Sequence, residues 1–287
     1  MLAGGGSFVF GACQIATTGD KNENIRRAKE GIDKAVEKGA QVVCLPECWN
    51  SPYSTAAFPV YAETVSGLVI GEAPSLVALA DKARQHGVFV IGGSIPERDK
   101  ADGKMYNTCF VFDPQGRVLG KYRKMHLFDM VLQGSGILFK ESDVLSPGND
   151  LLAFDTPWGK IGIGICYDLR FPELARLYQQ IGVVMIVYPG AFTFRNGKAH
   201  WKLHLRSRAV DNQVFVAGVA PALDVTFSYH SWAHSLIASP CGSVLAKTGI
   251  DPDVIVAPID VDRLSAIRQQ EPCLFHVRPT VYGLSFL

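Results

Sequence analysis

From Phe8 to Gln270 the chain alternates apolar runs of strand length with amphipathic stretches of helical period. That alternation constrains the fold more than any other feature, because it asks for helices laid over a sheet. "FVFGACQIA" (8–16) is a short apolar run of strand type, and "NENIRRAKEGIDKAVEKGA" (22–40) sets Ile25, Ala28, Ile32, Ala35 and Val36 at helical spacing, with Gly39 suited to the stop. "QVVCLPE" (41–47) reads as a buried strand and "APSLVALADKARQHG" (73–87) as a helix, followed by strands in "VFVIGGSI", "YNTCFVFD" and "VLGKYRK". "GKIGIGIC" (159–166) is a strand that passes at once into a helical pattern. A strand over 183–189, a helix over 199–213, a strand over 214–220, short strands between Trp232 and Ile259 and a helix over Val261–Gln270 complete the pattern. Hairpin-like strands among the βα units predict an α/β fold with a mixed sheet.

A chain of 287 residues suits one large domain or two small ones. No composition break, low-complexity linker or internal repeat divides it, so residues 8–287 read as one domain behind a flexible arm, 1–7. "GGGS" (4–7) in that arm has no strand before it and no lysine after it, so it is not a phosphate loop.

Charge narrows the partners. With 28 basic and 27 acidic residues and no long like-charge block, neither nucleic acid nor an anionic membrane is expected. The longest uncharged apolar run, Ile181 to Phe194, is short and broken by Pro189-Gly190, so it predicts no membrane span. Seven cysteines, an odd number set in apolar runs, fit reduced thiols. The start lacks a basic n-region and the final "SFL" lacks a basic middle residue. The expectation is cytoplasmic, with mitochondrial import of a longer precursor left open.

Three reactive side chains fall just past predicted strands. Glu47 follows "VVCLP", Lys124 follows "GKYR" and Cys166 ends "GKIGIGIC". Strand ends are rigid points from which loops can shape a pocket. A thiol attacks a carbonyl only as a thiolate, and the start of a helix would favour that form. A carboxylate can take the thiol proton, and a lysine can hold the oxyanion of a tetrahedral intermediate. Together the three could hydrolyse an amide or nitrile through a thioester with no metal or cofactor. Each alone is ambiguous: a cysteine in an apolar strand is usually core, a lone lysine is usually solvated, and a glutamate can sit at a helix start.

The blocks "LPECWNSPY", "GKYRKMHLFD", "GICYDLRFPELAR" and "YPGAF" resemble, in order, the signature blocks of the nitrilase (carbon–nitrogen hydrolase) superfamily. The resemblance puts the catalytic glutamate on Glu47, the lysine on Lys124, the nucleophile on Cys166, and a second glutamate beside them on Glu141 in "LFKESDVLSPG". It implies a four-layer αββα sandwich, a homodimer packed through helices near the nucleophile, and a small-molecule amide substrate. "PECWNSPY", "GGSIPE", "YNTCFVF", "HLFD", "SRAVDNQVFVA" and "IRQQEP" are most similar to the omega-amidase branch, whose substrates are 2-oxoglutaramate and 2-oxosuccinamate. Two loops depart from that branch: "DMVLQGSGILFKE" (130–140 at its centre) lacks an expected Val-Pro-Gly turn, and 193–198 carries Arg195 and Lys198. Sister branches acting on deaminated glutathione or N-carbamyl amines share the triad, and a non-catalytic scaffold is the alternative of another class.

Arg170, just after the nucleophile, could hold a substrate carboxylate in bidentate fashion or pair with Glu173 to shape the turn. Tyr53, Phe128 and Phe192 sit in loops beside the triad blocks as candidate walls, and the backbone N–H of Tyr167 is a candidate oxyanion donor. His200 and His204 are four apart, as are His230 and His234, but no Cys or acidic partner accompanies them, so no metal site is expected. Cys44 and Cys48 flank Glu47 without the surroundings of a redox pair. His126 would be the base of a papain-like protease, but "CYDLR" is the wrong context.

Overall fold

Phe8, Phe10 and Ala12 alternate with Val9, Gly11 and Cys13, and in the computed structural model, which describes residues 5–131 and 138–285, that alternation separates two cores. The first half of the chain gives β1 (Ser7–Gln14), α1 (Lys21–Glu37), β2 (Val42–Cys44), α2 (Phe58–Tyr61) and β3 (Glu63–Val65). It continues with α3 (Pro74–His86), β4 (Phe89–Ile91), β5 (Ile95–Asp99), β6 (Met105–Phe112) and β7 (Val118–Arg123). A short hairpin, β8 (Asp129–Val131) and β9 (Leu138–Lys140), leads to β10 (Ala153–Thr156), β11 (Gly159–Ile163), α4 (Pro172–Gln180) and β12 (Val183–Pro189). The chain closes with α5 (Phe194–Asn196), α6 (Lys202–Asn212), β13 (Phe215–Val219), β14 (Leu236–Ala238), β15 (Val244–Lys247), β16 (Asp253–Asp260) and α7 (Asp262–Gln270).

Two mixed sheets result. The eight-stranded sheet runs β16-β1-β2-β4-β6-β5-β3, with β7 on the free edge of β6, and the six-stranded sheet runs β10-β11-β12-β13-β14-β15. Both have a parallel centre, β1-β2-β4 in one and β11-β12-β13 in the other. Along β1, β2, β4 and β6, Phe10, Val42, Ile91 and Val111 face the second sheet, while Cys13, Val43, Val90 and Phe110 face α1 and α3. The second sheet is covered on its far side by α4 and α6, through Leu174, Ala175, Tyr178, Leu205 and Ala209. This is the expected four-layer αββα sandwich, and the period of two along each inner strand is its physical cause.

Three local expectations are corrected. Ser7 is already paired with Asp260, and Gly6 donates its N–H to Asp262 Oδ1, so the ordered chain begins before the expected end of the arm; residues 1–4 lie outside the described residues. The helix expected at 199–213 is instead a helical run from Phe194, in which α5, a wide turn over Gly197–Trp201 and α6 follow one another. The regular helix after the nucleophile starts only at Pro172; Cys166–Arg170 is a separate tight turn. Pro172 explains the break, since its preceding residue avoids helical geometry and Pro itself fits a first helical position.

Candidate active site

Glu47 lies three residues beyond β2, on a segment bracketed by "GGS" (92–94). Pro46 O accepts the Ser94 N–H at 3.0 Å, the Cys48 N–H reaches Ser94 Oγ at 3.0 Å, and Trp49 Nε1 donates to Gly92 O at 2.7 Å. Gly93 has φ +63° and a Cβ there would fall 2.1 Å from Pro46 O, so no other residue allows this approach. Lys124 follows β7 directly and is pinned through its own backbone, N–H to Asn107 O and O from Gly148 N–H, each at 2.9 Å.

Cys166 stands three residues past β11 with φ +49°, a left-handed conformation unusual for a residue with a side chain. The turn is held by Asp168. Its Oδ2 accepts Tyr122 OH at 2.7 Å and the Ile165 N–H at 2.8 Å; its Oδ1 accepts the His126 N–H at 3.0 Å and lies 2.7 Å from His126 Nδ1. One buried carboxylate therefore ties the Cys166 turn to the strand end that carries Lys124. His126, the candidate protease base, is committed to Asp168 and stacked on Phe171 with ring centroids 3.6 Å apart. Arg208 donates to Leu169 O and Arg170 O from the other side.

The sequence-predicted residues converge. Lys124 Nζ is 2.9 Å from Glu47 Oε1 and 2.9 Å from Glu141 Oε1, and all three side chains are buried. Tyr53 OH donates to Glu141 Oε1 at 2.6 Å and lies 3.3 Å from Glu47 Oε1, so this residue, expected as a wall, bridges the two carboxylates. Glu141 Oε2 accepts the Phe128 N–H at 2.7 Å. Sequence reasoning missed two supports of Glu47: Asn107 Nδ2 donates to Oε1 at 2.9 Å, and the Ala191 N–H donates to Oε2 at 2.8 Å. Ala191 follows Gly190, where a Cβ would sit 3.2 Å from Cys166 Cα and 3.0 Å from Trp201. "YPGAF" thus supplies close packing and one backbone donor.

Burial sets the resting protonation. It pushes the Cys166 thiol well above its ordinary value, with the Glu47 carboxylate adding to the shift and Lys124 opposing it. The helix dipole expected to lower it is displaced to Pro172. Burial alone would lower Lys124, but the Glu141 and Glu47 carboxylates hold it well above an ordinary lysine. Glu141 is raised by burial against the pull of Lys124. Cys166 is therefore a thiol at rest and needs a base beside it.

A narrow chamber beside Cys166 is lined by Phe128, Tyr167, Arg170, Phe192, Thr193 and Tyr229. It shares Phe128, Thr193, Asn196 and Tyr229 with an open cleft of about 980 Å³ that also takes in Met130, Phe139, Arg195 and His200. Phe192 and Tyr167 lie under the Arg170 guanidinium, 5.3 and 5.8 Å from it, and no ion pair engages Arg170 among the described residues. The Glu173 pairing is thus not formed. Of the two variant loops, Arg195 reaches the cleft, Lys198 is exposed in the wide turn, and residues 132–137 lie outside the described residues. His200 and His204 have ring centroids 5.7 Å apart, and no group of three or more ligating side chains forms among the described residues. All seven cysteines are free, so Cys44 and Cys48 are not a disulfide. No helix among the described residues is long and apolar enough to cross a membrane.

The carbon–nitrogen hydrolase family model matches residues 10–269, which include every side chain of this cluster. The chain belongs to the carbon–nitrogen hydrolase family. It is 48% identical over 277 residues to omega-amidase NIT2 of Xenopus tropicalis, covering 96% of this chain and 97% of that one. With the human omega-amidase NIT2 it shares 47% over 278 residues, covering 97% and 98%. Among solved structures it is similar to Saccharomyces cerevisiae Nit3, a member of branch 10 of the nitrilase superfamily, at 38% identity and TM-score 0.85 over 93% of this chain and 95% of that one. The carbon–nitrogen hydrolase identity fits the geometry: a hydrolase acting on amides needs a nucleophile, a base and an oxyanion partner, and the cluster offers one of each.

Proposed function

We propose that the protein is an omega-amidase that hydrolyses the terminal amide of 2-oxoglutaramate or 2-oxosuccinamate through a Cys166 thioester. The observation that carries this reading is the unpaired Arg170 guanidinium in the same narrow chamber as Cys166, with Glu47, Lys124 and Glu141 joined behind it. Glu47 takes the thiol proton as Cys166 Sγ attacks the amide carbon, since burial raises the thiol and disfavours a preformed thiolate. The oxyanion lies between Lys124 Nζ and the N–H of Tyr167. Glu47 returns the proton to the leaving nitrogen, ammonia departs, and water activated by Glu47 opens the thioester to the dicarboxylate. Glu141 fixes Lys124 and Tyr53, and Arg170 pairs with the distal carboxylate, which selects an acidic amide.

The test is ammonia release from 2-oxoglutaramate with deaminated glutathione and N-carbamylputrescine in parallel. Preference for 2-oxoglutaramate is expected, with Arg170→Ala lowering kcat/KM on it about 10–100-fold and sparing a neutral amide such as butyramide. Equal losses on both would return Arg170 to a structural role, and no release from any probe would favour a non-catalytic scaffold. The two-fold assembly is part of the same proposal. Leu203 and Val210 on α6 and Ile181 after α4 are exposed apolar side chains near the nucleophile's turn, a face suited to a second copy. Light scattering should give the mass of two 31.2 kDa chains, and a monomer at micromolar concentration would remove the assembly.

A further inference from the structure

Glu47 lines a second space, apart from the chamber of Cys166. It is a crevice of about 40 Å³ lined by the buried Glu47, Cys48, Ala191 and Ala222 and by the half-buried Thr17 and Asp224. Tyr229 borders both and separates them, held by a hydrogen bond from its hydroxyl to Ala191 O and by its ring against Tyr53, with centroids 4.4 Å apart. The Ala191 backbone is thus held on both sides, its O by Tyr229 and its N–H by Glu47 Oε2, and both Ala191 and Glu47 line the crevice.

The crevice has room for about three or four waters, at roughly 10–15 Å³ each, and no room for an acyl chain. The second half of the reaction proposed above has a matching need. Once the thioester exists, the acyl group fills the chamber and stands between Cys166 and the open cleft. Water arriving from the cleft would have to pass it, whereas water in the crevice meets the base first.

We propose that this crevice is the route by which the hydrolytic water reaches Glu47 and the thioester, a path separate from that of the amide substrate. The inference rests on the Cys166 thioester reading. In the step, Glu47 takes a proton from water and the water oxygen bonds to the thioester carbon. The C–S bond then breaks, and the sulfur receives its proton back from Glu47. Nothing is oxidised or reduced. Thr17, Ser51 and Ser231 supply hydroxyls along the path, and Asp224 lines it too.

The test fills the crevice without touching the chamber. Ala222→Leu narrows it from within, and Thr17→Phe, at a half-buried position, obstructs it with less demand on the core. Acyl-enzyme is followed by intact-protein mass spectrometry, first on mixing with 2-oxoglutaramate and then after rapid removal of the amide. Formation should stay within about twofold of the parent protein while decay slows about tenfold or more in either variant. Unchanged decay in both variants, or equal slowing of formation and decay, would overturn the crevice and leave the thioester mechanism standing. Absence of any acyl-enzyme together with turnover by Cys166→Ala would bring down the mechanism itself, and the crevice with it.

Discussion

Residues 121–124 carry two buried ion clusters on opposite faces of one strand end. Lys121 and Arg123 point one way, where Lys121 Nζ is 2.5 Å and Arg123 Nη2 2.9 Å from Glu97 Oε1, Thr108 Oγ1 donates to Glu97 Oε2 at 2.6 Å, and Arg123 also pairs with Asp99. Tyr122 and Lys124 point the other way, toward Asp168 of the Cys166 turn and toward Glu47. The first cluster balances two carboxylates with two cations. The second sets two carboxylates against one cation, places a thiol beside them and opens onto a chamber and a crevice. Every carboxylate oxygen is occupied in both clusters, so what distinguishes the second is its surplus negative charge and the open space beside it. Direction of pKa follows the same division: hydrogen bonding to Arg123 lowers Asp99, whereas burial raises Glu141.

The comparison is broken most directly by exchanging which property each cluster controls. Cys166→Ala should lower kcat by about 10⁴-fold or more, as nucleophile removals do, while shifting unfolding free energy by no more than about 1 kcal/mol. Residual activity near that of the parent would end the assignment of the unbalanced cluster to chemistry. Glu97→Gln should do the reverse. It strands two largely buried cations with Asp99 alone, at a cost of about 3 kcal/mol, or about 6 °C in Tm for a chain of this size. Its kcat/KM per folded molecule should stay within about twofold of the parent. A loss of activity at unchanged Tm would mean that the balanced cluster steers Lys124 and is more than a fastening.

The two clusters also differ in how far the sequence exposed them. Glu47, Lys124 and Cys166 each stand just past a strand, a placement that is ambiguous for any one of them, and the signature blocks are what joined them into one candidate site. The alternation of strand and helix gave the α/β class, while the four layers came only from the resemblance to the carbon–nitrogen hydrolases. Asn107 left a faint trace, an amide inside "YNTCFVFD" where strands disfavour it, and it went unread. The Ala191 N–H left none, since every residue but proline has one and its partner is 144 positions away. The placement of the helix dipole was misread because the run "CYDLRFPELAR" is helical in period throughout, while Pro172 divides it into a turn and a helix.

A pH profile separates the clusters with the smallest change to the protein. Because burial raises Glu141, its carboxylate takes up a proton at a pH above 4.5, the ordinary value, and then no longer holds Lys124 as an ion pair. The acid limb of kcat/KM should therefore begin above pH 4.5, and Glu141→Gln, which cannot titrate there, should move the limb downward and lower the plateau. The stability effect has the opposite sign. A carboxyl raised in the folded state binds its proton more tightly folded than unfolded, so acidification through this window adds stability by linkage even as activity falls. Asp99, lowered by Arg123, keeps its charge across the same window and loses its contribution only as the pH falls below its unfolded value. Activity and Tm measured together as the pH is lowered from 7 toward 4.5 should then part, with activity declining and Tm holding. A parallel decline would show that the acid limb is unfolding, and that the imbalance of the second cluster does not set the working pH.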